Sequence, residues 1–410
     1  MVRRPTLRTA LLAVALGIVF TPALFGISQA QQVDLNAAAE AKAQAGREAL
    51  SRPATDPPGV KAIGTFITFD APGATNGTNP ASINPPGAIT GSYLDANFVG
   101  HAFLRATNGT ITPFDVPGGT STGASSINPA GTITGGYSYL NDPNFVGHGY
   151  LRASTGSFVT FDAPGAGTGF FQGTGATSVN PEGSITGNFV DTNNVVHGFL
   201  RDKNGAIAMF DAPGVCTTTC FPFEGTFAVN INPEGEILGV YNDINHVNHG
   251  FLRASNGTFT TFDPPGQIFL FNPFSFGNNL RISPEGTITG FYFQGISGNP
   301  FGGNYQVFVR APDGAFTTFN AANYPPCCIW SFPSGITPSG VITGSLNDGF
   351  TLNRGFLRAR DGTVAIFDAP GAGNGFDQGT VPLGITPGGV IMGLYFDAND
   401  LNHGFLFFPF

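Results

Sequence analysis

The segment Thr174–Asp211, "TGATSVNPEGSITGNFVDTNNVVHGFLRDKNGAIAMFD", consists of short apolar runs cut by turn signals. TGATSVN reads as a strand, and Pro181-Glu182-Gly183 as a tight turn. SITGNFV is a second strand and DTNNV a loop. HGFLRD is a third strand. Asn204-Gly205 predicts a two-residue hairpin turn, because both residues accept positive φ. AIAMFD is the fourth strand. Nothing in the segment has helical period. Four antiparallel strands in about 45–50 residues match one blade of a β-propeller, whereas a β-helix coil is far shorter.

The unit recurs. "FDAPG" or a variant begins at Phe69, Phe114, Phe161, Phe210, Phe262, Phe319 and Phe367, a period of about 45–55 residues. "INP" variants (from Ile83 to Ile385), "ITG" variants (from Ile89 to Ile391) and "HGFLR" variants (from His101 to His403) also occur seven times each. The array opens at Gly64 with "GTFITFDAPG", a fourth strand with no blade before it. It ends at Phe410 after "HGFLFFPF", a third strand with no fourth after it. One strand from the start and three from the end complete a blade and leave no open edge. The expected fold is all-β: a seven-bladed β-propeller of four-stranded antiparallel blades over residues 64–410, the last blade closed by the N-terminal strand.

Residues 1–30 read as a secretory signal: Arg3, Arg4 and Arg8, an apolar run from Ala10 to Ile27, and Ser28-Gln29-Ala30 as a small-x-small cleavage site. Residues 31–63 read as a spacer with room for one short helix. The net charge of -9 becomes -12 without the signal, which carries three Arg and no acid. Such a chain repels phosphate backbones and anionic bilayers, so neither nucleic acid nor a membrane is an expected partner. A secreted or periplasmic monomer without cofactor is expected. Four cysteines permit three pairings in an oxidising compartment, and the loop-local pairs Cys216–Cys220 and Cys327–Cys328 are favoured. Zinc is the rival for Cys216 and Cys220, but no further ligand lies near them in sequence, and no metal site is expected.

The phrase set INPxGxITGxYxDxNxVxHGFLR resembles the HAF-type extracellular repeat of bacteria, and His101-Ala102-Phe103 carries the naming phrase literally. The resemblance covers about residues 64–410 and implies an exported, propeller-like protein. It implies no activity.

Each "HGFLR" histidine pairs in sequence with an aspartate across the hairpin, as His249 with Asp263. A catalytic pair is built once, whereas this one occurs in five repeats, so it reads as architecture. Counting outward from Asn256-Gly257 sets Phe251 opposite Phe262 and Gly250 opposite Asp263. The aspartate is then expected to sit above a small residue and to accept amides of the following turn. Asp95, Asp191 and Asp397 open Asx turns, with calcium as the sharper alternative. Arg105, Arg152, Arg201, Arg253, Arg310 and Arg358 are expected to lay their stems on Phe with their heads in water.

Function is expected where the copies differ, on the face carrying the two–three and inter-blade loops. Val215–Gly225 holds Cys216, Cys220, Phe221, Phe223 and Glu224. Gln267–Phe276 holds Phe269 and Phe271. Ala321–Phe332 holds Tyr324, Cys327, Cys328, Trp330 and Phe332. This aromatic set suits stacking on a glycan or docking of an extracellular protein; a cap over the channel is the structural alternative. Arg281 stands where other repeats have Ser82, Ser126, Ser178, Asn230, Gly335 and Gly384, so it is a candidate anion ligand. No nucleophile elbow, phosphate loop or HExxH is present, and no catalytic residue is expected. A carbohydrate-active enzyme using Glu224 or Asp377 and a purely structural surface protein are the alternatives.

Overall fold

The segment Thr174–Asp211 folds as its turn residues dictate. Strands Gly173–Val179, Ile185–Val190, Val196–Arg201 and Ile207–Phe210 pair antiparallel in that order. They are called strands one to four here, and the repeats are numbered from Thr78. The structure, a computed structural model, describes residues 60–218, 220–265, 280–296, 299–321, 330–347 and 352–410. The expected signal and most of the spacer lie outside the described residues. Among the described residues no helix is long and apolar enough to cross a membrane.

Separate four-stranded sheets span Thr78–Phe114, Ser121–Phe161 and Thr226–Phe262 in the same order. Three further antiparallel runs start at Arg281, Trp330 and Gln378. Parallel bridges Tyr305↔Trp330 and Leu352↔Gln378 join them into one 13-stranded sheet. The run from Gln378 supplies three strands, ending at Asn402–Pro409. Its fourth is Gly64–Phe69, antiparallel from Gly64↔Pro409 to Phe69↔Gly404, the pairing expected from the two ends of the sequence. Val60–Lys61, expected in the spacer, instead forms a parallel strand on Ala365–Ile366.

The repeated phrases are fasteners between repeats. In "INP", Asn180 accepts the Ser184 amide at 2.9 Å and closes the tight turn, with Gly183 at φ +89°. The same Asn reaches its neighbour: Asn84 Nδ2 donates to the Asn128 carbonyl, and Asn128 Nδ2 to that of Asn180, both at 3.0 Å. A β-bulge at Ala176/Ser178 re-aims strand one, and Ser178 Oγ accepts the Ile231 amide of the next repeat. Strand one of each repeat touches strand one of the next, and Gln378–Ile385 touches Thr78–Ile83. There Asn402 Nδ2 donates to the Thr78 carbonyl at 3.2 Å and to Asn79 Oδ1. Met392 and Leu406 share one core with Ile89, Tyr93 and Phe103.

The hairpin register differs from expectation by one residue. Phe262 faces Gly250 and Phe251 faces Thr261. Ala254 N donates to Thr258 O, Gly257 N donates to Ala254 O, and Gly257 alone of the Asn-Gly pair has positive φ (+90°). This is a three-residue loop with a glycine bulge, not a two-residue turn. Gly250 therefore makes room for a ring rather than a carboxylate: a Cβ there would lie 2.4 Å from Phe262.

The aromatic pairs consequently lie between repeats. The Phe ending strand four meets the aromatic residue of the next repeat's strand three: Phe69–Phe103, Phe114–Tyr150, Phe161–Phe199, Phe210–Phe251, Phe262–Phe308, Phe319–Phe356 and Phe367–Phe405. All are edge-on, with centroids 6.0–6.5 Å apart. Each motif arginine lies over the same ring, from Arg105 on Phe69 (5.0 Å) to Arg358 on Phe319 (4.4 Å). Arg105, Arg201 and Arg310 are buried, so their heads are not in water as expected. Burial lowers the guanidinium pKa of Arg105, Arg152 and Arg253. In repeat seven Phe407 takes the arginine's place and stacks on Phe367 at 4.6 Å.

Candidate functional site

The histidine–aspartate pairs are present in five repeats, and their geometry is uniform. Nδ1 of His101, His148, His197, His249 and His403 lies 2.8–3.1 Å from the carboxylates of Asp115, Asp162, Asp211, Asp263 and Asp70. The aspartates thus hold the imidazoles, where amides of the following turn were expected. Nε2 of His101, His197, His249 and His403 faces a second carboxylate, from Asp95, Asp191, Asp243 and Asp397, at 3.7–3.8 Å. Those loop aspartates make the expected Asx turns: Asp191 Oδ1 accepts the amides of Asn193 and Val195 at 2.8 Å. In repeat six Arg354 replaces histidine and grips Asp368 with Nε and Nη2. An imidazole or guanidinium bonded to the aspartate that follows strand four recurs from repeat to repeat, which marks it as structural.

The pairs set a pH dependence. Hydrogen bonds to Asp162 and Asp211 raise the pKa of His148 and His197 above the usual imidazole value, against desolvation. Their contribution to stability is complete below about pH 6.5 and is lost as pH rises through the higher folded value. At Asp95, Asp243 and Asp397 desolvation opposes ionisation, but loop amides outweigh it and lower the pKa. That contribution is complete above about pH 4 and lost in stronger acid. Thermal scans are expected to give the highest Tm between about pH 4.5 and 6.5. His197→Gln should flatten the decline on the alkaline side, and an unchanged alkaline slope in that variant would contradict the assignment.

The Val215–Gly225 loop of repeat four gathers several candidates. Cys216 and Cys220 form the expected disulfide. Phe221 is 63% exposed and stacks on His246 at 4.2 Å. Glu224 is buried, with Oε2 2.7 Å from His246 Nδ1 and 3.0 Å from the Phe221 amide. Phe223, expected as an exposed binding aromatic, has positive φ (+68°) and is buried with Val190, Val196 and Phe227. Glu224 also departs from expectation, since its position is not peculiar to this repeat. Gln172 and Gln378 occupy it in repeats three and seven: each accepts an amide three residues back at 2.7 Å. Each also bonds the residue 22 positions on, Asn194 at 2.9 Å and Asp400 at 2.7 Å. A carboxylate doing the work of a glutamine, and bonded on that side, is poorly placed to act as a glycosidase acid.

A second cluster forms between repeats five and six. Trp330 meets Tyr305 edge-on at 5.4 Å, and Phe332 lies 5.5 Å from Tyr305. Phe291 and Phe293 pack on Tyr305 at 5.7 and 5.1 Å, and Phe291 meets Phe332 at 4.9 Å. Sequence reading found Trp330 and Phe332 but missed Phe291, Phe293, Tyr305 and His246. Phe291 carried a signal: Ser92, Gly136, Asn188, Val240, Ser345 and Leu394 stand at its place in the "ITG" strand. Tyr324, Phe269, Phe271, Cys327 and Cys328 lie outside the described residues. Arg281 pairs with Thr289 in strand one, and its Nη1 donates to the Leu280 carbonyl at 3.0 Å; burial pushes its pKa down to about 10. Arg281 is thus a half-buried guanidinium, bonded to the backbone at the start of strand one.

No family model matches the chain, and no curated protein matches it. Among solved structures it is similar to the β-propeller domain of the Trilobed protease from Pyrococcus furiosus: 8% identity, 70% of this chain and 95% of that one, TM-score 0.41. It is similar to an ancestral GH74 enzyme at 11% identity over 85% of this chain and 51% of that one, TM-score 0.45. A lectin from Aleuria aurantia, in complex with Fucα1-6GlcNAc, matches at 10% identity over 72% and 96%, TM-score 0.35. At these identities the likeness concerns the fold alone, an all-β protein of four-stranded antiparallel sheets.

Proposed function

We propose that this chain is an exported, seven-bladed β-propeller of the HAF-repeat type, closed by its N-terminal strand, that binds a glycan without turning it over. The observation that carries the binding reading is the cluster of Trp330, Phe332, Tyr305, Phe291 and Phe293. Five half-buried rings meet at one place, where the other repeats set mostly small, polar or aliphatic residues. Rings fixed at steep angles to one another leave an amphipathic, uncharged surface, suited to the C–H faces and hydroxyls of a sugar. The inter-repeat contacts around the whole array, from Phe69–Phe103 to Phe367–Phe405, support the closed ring. The apolar, Arg-flanked N-terminus and the Cys216–Cys220 disulfide support export.

A glycan array probed with the mature protein and with Trp330→Ala tests the reading. Wild type should bind a defined subset of glycans, and the variant should lose that binding by about tenfold or more, as expected for a central aromatic anchor. Equal array signals from the two proteins, or none from wild type, would contradict it.

A further inference from the structure

We propose that the repeat-four loop is a redox-gated zinc site, in which reduction of the Cys216–Cys220 disulfide frees two thiolates that bind Zn2+ together with Glu224. The sulfurs of Cys216 and Cys220 and a Glu224 carboxylate oxygen all lie within 4.8 Å of one another. Tetrahedral zinc with Zn–S near 2.3 Å sets neighbouring donors about 3.5–3.8 Å apart, so the donors need shifts of only about 1 Å once the S–S bond is gone. The loop is pinned on both sides: Cys216 N donates to the Asn242 carbonyl at 2.8 Å, and the Glu224 carbonyl accepts the Val196 amide at 2.8 Å. His246, bonded to Glu224, orients the carboxylate as an outer-shell partner does in metal sites.

The comparison between repeats points the same way. Glutamine serves the structural need at 172 and 378, and Asn194 and Asp400 answer it where His246 stands in repeat four. Repeat four alone of these three combines a carboxylate, an imidazole and two cysteines in that place. The carboxylate in place of glutamine and the two cysteines are departures toward metal-ligating chemistry. For the reduction, a phosphine and one water supply two electrons and two protons. The S–S bond breaks, two Cys S–H bonds form, and the phosphine leaves as its oxide. Zinc binding then releases both thiol protons.

The test uses the mature chain with Cys327→Ser and Cys328→Ser, so that one cysteine pair responds. Zn2+ is titrated in competition with a chromophoric chelator, before and after phosphine treatment, and Co2+ is added separately to read thiolate-to-metal absorption. The reduced protein should bind one zinc per chain and develop the cobalt absorption, and the oxidised protein should do neither. Glu224→Gln, which keeps the bonds that Gln172 and Gln378 make, should retain the oxidised protein's Tm and weaken zinc binding by about tenfold or more. Cys220→Ser should abolish it. Equal zinc uptake by the reduced and oxidised proteins, or undiminished affinity in Glu224→Gln, would overturn the proposal.

Discussion

A chain that begins at Ala74, and so lacks Gly64–Phe69, is expected to lose cooperative folding. The deletion removes a whole strand pairing from Gly64↔Pro409 to Phe69↔Gly404. It also removes Phe66, which stacks on Phe407 at 4.4 Å, and Phe69, which is the ring under Arg105 and the edge partner of Phe103. Asp70, the partner of His403, goes as well. Phe66 and Phe69 are partly buried, so losing each costs less than the ~3–5 kcal/mol of a fully buried Phe, but they go together with a whole strand pairing, and a typical domain has only about 5–15 kcal/mol in hand. Arg105 would be left buried without its ring, and Asn402–Pro409 would become an open, apolar edge that invites aggregation. Circular dichroism should show a broad, low-temperature transition or none. A transition at the full-length Tm would show that the strand is dispensable.

Phe199→Ala should be among the most destabilising single substitutions, at about 3–5 kcal/mol. Phe199 is fully buried, meets Phe161 across the repeat boundary at 6.0 Å, and shares a core with Ile185, Val179 and Ala176. A Cβ on Gly187 would lie 2.7 Å from its ring, so the backbone around it is shaped to that side chain and cannot collapse into the space. Phe170→Ala supplies the contrast. Its ring is 56% exposed, and removing it should change stability by about 0.5 kcal/mol or less. Denaturant titration of the two variants separates them; equal midpoints would contradict the packing described.

The strands were legible because Gly and Pro mark nearly every boundary, and because each phrase recurs often enough to average out local ambiguity. Pairing of the two ends was legible too, since "GTFITFD" and "HGFLFFPF" are complementary fragments of one unit. The hairpin register was not. Asn256-Gly257 fits both a two-residue turn and the end of a three-residue loop, and only the positive φ at glycine alone distinguishes them. That single residue changed the partner of every aromatic ring. A count within one hairpin cannot see that Phe161 belongs against Phe199 of the following repeat. It also placed the arginines in water, when the ring of the previous repeat buries them.

The site was legible in part. Symmetry breaking led to Trp330, Phe332 and Phe221, but not to their neighbours, because Tyr305 stands just before the repeated phrase that begins at Gln306, on the long strand Asn299–Arg310. Glu224 looked singular because inter-blade loops of unequal length hide their alignment. The signal was nonetheless there: Phe171-Gln172-Gly173-Thr174, Phe223-Glu224-Gly225-Thr226 and Asp377-Gln378-Gly379-Thr380 are one motif. Its glycine lies within one residue of the start of strand one, and its threonine holds the preceding loop, as Thr226 Oγ1 does by accepting the Ala212 amide at 3.0 Å.

The proposed ring would be held shut by its first strand on its last, and a cross-link reads that pairing directly. Thr65 and Phe408 face each other across that pairing. Opposed residues of an antiparallel pair lie about 4.5–5.5 Å apart at Cα, within the span of a disulfide. In Thr65→Cys/Phe408→Cys, mild oxidation should produce a monomeric species whose digest contains one peptide pair joining the segments around residues 65 and 408, identified by mass spectrometry. A monomer that stays reduced at both positions, or a cross-link found only between chains, would contradict the closed ring.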